Sequence, residues 1–275
     1  MLLNKGTAAR ILTKSITLTA LALSISAAMA ADKIPIGFSQ ATMNSPFRVV
    51  QTQKMIDSAK TMPDVELFVT DGQGDSAKQA SDIESLIARG VKVLTVSANS
   101  AAALTPSVRA AMRAGIKVVT VDRKVNTAVT AHVGGVNKPI GTAAGKLLIQ
   151  KLGNKGNVAE IQGVAGASVT IDRHEGFLEA LKGSGVKEVA VQYGDFQREP
   201  ALKFTEDLLQ RFKPGELQAI KAGKMLATFV YPMAAPEGME IAYKLAKGQT
   251  VPAETTLEFH QVDASNVTDY LGKGF

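Results

Sequence analysis

The stretch Lys117-Val-Val-Thr-Val-Asp-Arg123 decides the fold class of this chain. Its four consecutive β-branched residues, with no turn former among them, are typical of a strand buried on both faces in the middle of a parallel sheet. The run ends in Asp122 and Arg123, adjacent side chains of opposite charge. Because ligands bind at the carboxyl ends of strands in open α/β sheets, this pair is a candidate ligand site. The alternative that the residues leave open is a solvated ion pair at the end of a strand.

Strands and helical patterns alternate on both sides of this run. Asp75 is a predicted N-cap, and Pro106 suits the first turn of the helix that leads back to the opening strand. The other predicted strands cover residues 34–38, 65–69, 91–96, 131–133, 157–162 and 188–193. This alternation predicts an α/β chain built from βαβ units on parallel sheets.

The alternation runs through the chain twice, which predicts two Rossmann-like lobes, each a parallel sheet flanked by helices. We place the junction near residues 134–137. The first lobe then comprises residues 31–134 plus about 232–260, and the second comprises residues 135–231 plus about 261–275.

The pattern breaks after Phe212. Lys213-Pro-Gly215 leads directly into a helical segment at residues 216–222, where the alternation requires a strand. A strand resumes at residues 225–231, and residues 257–262 form a last extended stretch before a short helix capped by Ser265. The second lobe is therefore predicted to lack one strand-helix-strand unit of about 30 residues.

The first 30 residues have the three parts of a secretory signal peptide. Lys5, Arg10 and Lys14 precede an apolar run from Ile16 to Ala28, and Ala28-Met-Ala30 matches a cleavage site. A membrane anchor is the weaker interpretation because the apolar run is too short to span a bilayer. We expect a mature chain that starts at Ala31 and is exported to the periplasm.

Composition excludes several classes of protein. There is no Cys, and the three His residues have no metal-ligand spacing, so no metal site and no cofactor are predicted. Removing the three signal-peptide cations leaves 28 Lys and Arg against 25 Asp and Glu, a net charge of +3 that is too slight to indicate nucleic-acid binding. No nucleophile motif or acid/base spacing indicates an enzyme.

Several further motifs occur in order along the chain. They are Gly37-Phe-Ser-Gln40, Asn44-Ser-Pro-Phe47, Val121-Asp-Arg123, Ile161-Gln-Gly163, the run from Gly166 to Phe177, Gly194-Asp-Phe196, and the run from Ala219 to Pro232. Together they resemble the ribose-type periplasmic sugar-binding proteins that serve ABC importers, and the ribose- and galactofuranose-binding members most of all. The resemblance covers nearly the whole mature chain except the gap after Phe212. It implies two hinged lobes of the type I periplasmic binding fold that close on a monosaccharide.

The resemblance also implies which side chains bind the sugar from the first lobe. Asp122 and Arg123 would hydrogen-bond sugar hydroxyls, with Phe47 supplying an apolar ring face and Arg48 a donor beside it. These chemistries suit a sugar, since each hydroxyl both donates and accepts and an aromatic face matches its C–H surface. Without the family motifs, Phe47 would be assigned to the core.

From the second lobe, Arg173 would donate to ring or anomeric oxygens, Phe196 would cover the opposite sugar face, and Tyr231 would lie near a polar position of the site. From the residues alone, a solvated helix residue is the favoured interpretation of Arg173, and a core residue is the favoured interpretation of Phe196. The family's Asn and Asp ligands from the two missing loops have no counterpart here, so this half of the site is predicted to be incomplete.

The resemblance therefore implies a monomeric solute-binding component of a carbohydrate ABC transporter, with a permease in the inner membrane as partner. Two alternatives stay open. One is a sugar-sensing partner of a chemoreceptor or histidine kinase, and the other is a deletion product with impaired ligand binding.

Overall fold

The computed structural model describes residues 33–211, 227–263 and 265–270. The predicted signal peptide, the helical segment at residues 216–222 and the start of the following strand lie outside the described residues. The absence of a strand-helix-strand unit after Phe212 therefore stays a prediction, as do the lobe boundaries. Within the described part of the chain, no helix is long and apolar enough to cross a bilayer.

Six parallel strands form the main sheet, in the order β2-β1-β3-β4-β5-β9. The strands and the helices that connect them are β1 (Ile34–Gln40), α1 (Pro46–Lys60), β2 (Val65–Asp71), α2 (Ser76–Ala88), β3 (Val93–Ser97), α3 (Ala101–Arg113), β4 (Lys117–Val121), β5 (Ala131–Gly135) and β9 (Glu254–Leu257). The opening stretch forms β4, which lies between β3 and β5 as predicted.

The side chains of β4 explain why this strand lies in the interior of the main sheet. Val118 packs with the apolar residues of α2 and α3, whereas Val119 and Val121 pack with those of α1 and of the later helix α7 (Ala235–Ala246). All three valines have no exposed surface, and burying each stabilises the fold by roughly 1.5–3 kcal/mol. The sheet is thus covered by helices on both faces, which confirms the predicted α/β class.

A second parallel pair, β6 (Lys155–Gln162) with β7 (Gly185–Tyr193), is flanked by α4 (Lys138–Lys151), α5 (Ser168–Leu181) and α6 (Arg198–Arg211). A separate antiparallel pair joins β8 (Ala227–Val230) to β10 (His260–Asp263). A 3₁₀ turn at Val267–Tyr270 follows, where a short final helix was predicted.

Two local predictions are wrong. Pro106 lies inside α3 and not in its first turn, because Ser100 caps the helix earlier, with its Oγ accepting from the Ala103 amide at 3.3 Å. The extended stretch predicted at residues 257–262 is two strands, since β9 joins the main sheet and β10 pairs with β8.

Candidate functional site

A cavity of about 320 Å³ lies between the loops that follow strands of the main sheet and those that follow β6 and β7. Its size is at the lower end of the range for small-molecule sites. All seven residues predicted from the sequence line it: Phe47, Arg48, Asp122, Arg123, Arg173, Phe196 and Tyr231. The structure therefore brings together every predicted site residue.

Asp122 and Arg123 are buried at the floor of this cavity, with exposed fractions of 3% and 1%. Asp122 adopts a left-handed backbone with φ of 65°, a conformation that Asp tolerates better than most residues. The turn ends β4 and directs both side chains to the carboxyl edge of the sheet. The alternative of a solvated ion pair is wrong.

Arg48 holds the carboxylate of Asp122. Its Nη2 lies 2.6 Å from Asp122 Oδ2, while its Nη1 donates to Gln51 Oε1 at 2.8 Å and to Ser97 Oγ at 2.9 Å. Burial raises the pKa of Asp122, but the cations Arg48 and Arg123 and a hydrogen bond from Tyr231 outweigh burial, so the pKa lies below its ordinary value. The carboxylate is therefore ionised inside the protein.

Arg123 has few partners for a buried cation. Its Nη1 contacts the Ala98 carbonyl at 3.4 Å, and its Nε has no hydrogen-bond partner among the described residues. Burial and repulsion by Arg48 lower the pKa of Arg123 to about 9, although Asp122 acts in the opposite direction. The guanidinium carbon also lies 5.8 Å from the centre of the Phe196 ring.

Arg173 reaches the cavity because α4 and α5 pack backbone to backbone. A Cβ at Gly141 would lie 1.8 Å from the Arg173 carbonyl oxygen, and one at Gly176 would lie 2.0 Å from the Lys138 carbonyl oxygen, so only glycine permits this approach. At the start of α4, Asn137 Oδ1 accepts from Arg173 Nε at 2.9 Å. This contact fixes the guanidinium beside the cavity.

Tyr231 belongs to the same network. Its hydroxyl accepts from Asn137 Nδ2 at 3.1 Å, and the Arg173 guanidinium lies 4.8 Å from its ring centre. Burial and the nearby charge of Asp122 raise the pKa of Tyr231, so the phenol stays neutral.

Aromatic rings form two walls of the cavity. The Phe47 ring lies 6.2 Å from that of Tyr231, at an angle of 45°. On the other side, the Phe196 ring rests on Gly163, where a Cβ would lie 1.9 Å from the ring. Phe196 is 45% exposed and is not a core residue.

Three hydrogen bonds connect the loops on the two sides of the cavity. Ala101 N donates to the Gly166 carbonyl at 2.9 Å, Lys124 N to Ser168 Oγ at 2.8 Å, and Gln197 Nε2 to Asn44 Oδ1 at 3.2 Å. The loops after both parallel sheets therefore meet around the cavity.

Several residues of the site were not predicted. Asn137 had no sequence signal beyond its place at the junction, because its role depends on the packing of α4 against α5. The other unpredicted lining residues are Thr42, Asn44, Ser45, Pro46, Val164, Val169 and Asp195. Asn44 and Asp195 lie within the family motifs described above, so those motifs could have identified them as site residues.

Outside the cavity, three described side chains of kinds that can ligate a metal lie close together. Ligand atoms of Glu160, His174 and Glu188 come within 4.8 Å of one another, and His174 Nδ1 is 2.5 Å from Glu160 Oε2. Burial, a hydrogen bond that protonated Glu188 donates to Glu160, and the negative charge of Glu160 raise the pKa of Glu188 to about 7. The sequence spacing did not indicate this group, because its members come from β6, α5 and β7.

Comparison with known proteins places the chain among binding proteins. The model of the periplasmic binding protein domain matches residues 36–224. The ribose import binding protein RbsB of Bacillus subtilis is 36% identical over 176 residues, which are 64% of this chain and 57% of that protein.

Two solved structures have a similar fold over most of the chain. An ABC transporter solute-binding protein from Mycobacterium smegmatis with bound glycerol is 32% identical, with a TM-score of 0.79 over 88% of this chain and 98% of that one. The fructose-binding periplasmic domain of a hybrid two-component system is 26% identical, with a TM-score of 0.78 over 87% and 96%. All three relatives are binding proteins or binding domains.

Proposed function

Since this chain belongs to the periplasmic binding protein domain family, we propose that it is the solute-binding component of a carbohydrate ABC transporter and holds a monosaccharide in the cavity beside Asp122. It performs no catalysis. It acts in the periplasm, where the predicted signal peptide sends it, and it delivers its ligand as a monomer to a permease in the inner membrane.

The observation that carries this proposal is the combination of side chains at the cavity. Asp122 is an ionised acceptor, Arg123 and Arg173 are donors, and Phe47 and Phe196 offer ring faces. A sugar needs donors and acceptors around its edge and apolar contact on its faces. Because these groups are preorganised, an analogue that lacks a matching hydroxyl would leave a buried polar group unpaired, at a cost of roughly 1–3 kcal/mol.

The permease would contact surfaces on both sides of the cavity. The hydrogen bonds from Ala101, Lys124 and Gln197 that close the loops form only when the two sides meet. A ligand that stabilises this closed arrangement therefore changes the surface presented to a partner.

The affinity of the site is expected to be modest. In the family that the sequence resembles, an Asn and an Asp from two further loops also bind the sugar. This sequence has no counterpart of either residue. Losing two hydrogen bonds of roughly 1 kcal/mol or more each weakens binding by one to two orders of magnitude.

This proposal can be tested by titration calorimetry of the mature chain. The panel of ligands comprises neutral pentoses and hexoses and their acid derivatives. We expect one or a few of these compounds to bind, and Asp122→Asn to weaken that binding at least tenfold. The exposed variant Asn126→Ala is the matched control. Failure of every compound to bind a folded protein would overturn the proposal.

The second candidate is a sugar-sensing role, and the similarity to the periplasmic domain of a two-component system favours it. The same cavity would then signal to a receptor and not to a permease. Co-purification in the presence of ligand separates the two roles. A transporter component should co-purify with a permease complex, whereas a sensor should co-purify with the periplasmic domain of a receptor.

A further inference from the structure

Three side chains of metal-ligand types lie together away from the cavity lining. Glu160 belongs to β6, His174 to α5 and Glu188 to β7, so three separate elements contribute them. One ligand atom from each lies within 4.8 Å of the other two. An imidazole with two carboxylates suits a transition metal, whereas Ca²⁺ and Mg²⁺ prefer oxygen ligands.

The spacing of these three groups is close to that of a tetrahedral zinc site. Zinc–ligand bonds of about 2.1 Å place neighbouring ligand atoms about 3.4 Å apart. His174 Nδ1 lies 2.5 Å from Glu160 Oε2, and no two ligand atoms of the group are more than 4.8 Å apart. Side-chain shifts of about 1 Å are therefore enough to reach the geometry of a metal site.

The two carboxylates lack an opposite charge of fixed sign. Among the described residues, no Lys or Arg forms an ion pair with Glu160 or Glu188. The Oε1 atom of Glu188 is buried and has no hydrogen-bond partner in the described part of the chain. A bound cation would offset the repulsion between the carboxylates and give this oxygen a partner.

The surroundings of the group suit an ion that enters from solvent. The side chains of His174 and Glu160 are 29% and 17% exposed, which leaves an open side for the ion and for a water molecule as fourth ligand. Gln162 Nε2 donates to Glu160 Oε2 at 3.1 Å. An outer hydrogen bond of this kind orients a ligating carboxylate.

We propose that Glu160, His174 and Glu188 bind one divalent transition-metal ion, with zinc as the best match. The ion joins α5 to both strands of the β6–β7 pair and so stabilises this part of the fold. The pair forms a two-stranded sheet in the described part of the chain, and so small a sheet depends on added contacts. Zinc binding here requires no sugar, so its test is independent of the proposed function.

Titration calorimetry of the untagged, EDTA-treated mature chain with Zn²⁺ tests this proposal. We expect one ion to bind per chain with a dissociation constant in the micromolar range or tighter, and Ca²⁺ and Mg²⁺ to bind at least a hundredfold more weakly. Glu160→Gln, His174→Gln and Glu188→Gln should each weaken zinc binding at least tenfold. Glu84→Gln and His260→Gln, at exposed positions, are the matched controls and should leave it unchanged.

Thermal unfolding gives a second readout. Zinc at about 100 times its dissociation constant should raise the unfolding temperature of the parent chain by about 5 °C or more, but not that of His174→Gln. Unfolding of each variant in EDTA establishes that it is folded. Zinc that binds equally to the parent and to all three ligand variants is an adventitious ion only and would overturn the proposal. Calcium that binds as tightly as zinc, or a folded parent chain that binds no zinc, would also overturn it.

Discussion

The Nη2 atom of Arg48 lies 2.6 Å from the Oδ2 atom of Asp122, and the two side chains are only 6% and 2% exposed. This pair joins helix α1 to the end of strand β4 directly beneath the cavity. It fixes the orientation of the Asp122 carboxylate and keeps it ionised. The pair therefore contributes both to the stability of the main sheet and to the shape of the site.

Arg48→Met should destabilise the protein by about 3–5 kcal/mol, because it leaves the buried carboxylate of Asp122 without its closest cation. Urea unfolding at pH 7 measures this loss. Arg113→Met, at an exposed position, is the control and should change the unfolding free energy by less than about 0.5 kcal/mol.

The double variant Arg48→Met with Asp122→Asn removes both charges and should be more stable than Arg48→Met alone. Asn suits position 122 because it also tolerates a positive φ. A double variant less stable than the single one would show that the ion pair does not explain the effect.

Gly163→Ala should weaken ligand binding with little loss of stability. The added methyl group would lie 1.9 Å from the ring of Phe196, which is 45% exposed and therefore moves at low cost. Calorimetry should show at least a tenfold loss of affinity. In a Phe196→Ala background the clash is absent, so Gly163→Ala should then have no further effect on affinity. Equal losses of affinity in both backgrounds would contradict a role for the Phe196 ring in binding the ligand.

Asn137→Ala should weaken binding about tenfold, because Arg173 and Tyr231 each lose a hydrogen-bond partner. Calorimetry with the tightest ligand of the panel measures the change. Asn126→Ala, an exposed asparagine, is the matched control. Unchanged affinity in Asn137→Ala would mean that the orientation of Arg173 does not matter for the ligand.

Stability should fall as the pH drops from about 6.5 to about 4, in part because of His132. Burial and the charge of Lys124 lower the pKa of His132 to about 4, while its ring Nδ1 lies 2.8 Å from Thr120 Oγ1. The unfolded chain binds a proton near pH 6.5, whereas the folded chain resists it, so up to about 3 kcal/mol is lost over this range.

Urea unfolding at pH 7 and at pH 5 measures this effect. His132→Gln should flatten the pH dependence, whereas His260→Gln, at an exposed position, should not. The same slope in His132→Gln as in the parent would refute the assignment.

The sequence predicted the parts of the site that depend on strand ends and family motifs. Val118 to Val121 are β-branched and uninterrupted, so the buried strand and the polar pair after it followed from local pattern alone. The quoted motifs then led to Phe47, Arg48, Arg173, Phe196 and Tyr231.

The features that were missed depend on long-range packing. Asn137 acts because Gly141 and Gly176 let α4 and α5 approach closely, and no local pattern reveals that contact. The single extended stretch predicted near residue 257 is two strands because the chain passes from one sheet to another, which periodicity does not detect. Pro106 was misplaced because the capping by Ser100 prevails over the preference of proline for a first turn.

A crystal structure of the mature chain with the tightest compound of the calorimetric panel tests the central claim most directly. The account predicts a sugar ring in the cavity, packed on Phe196, with its polar groups hydrogen-bonded to Asp122, Arg123 and Arg173. A compound bound elsewhere, or bound in the cavity without contact to these three residues, would contradict it.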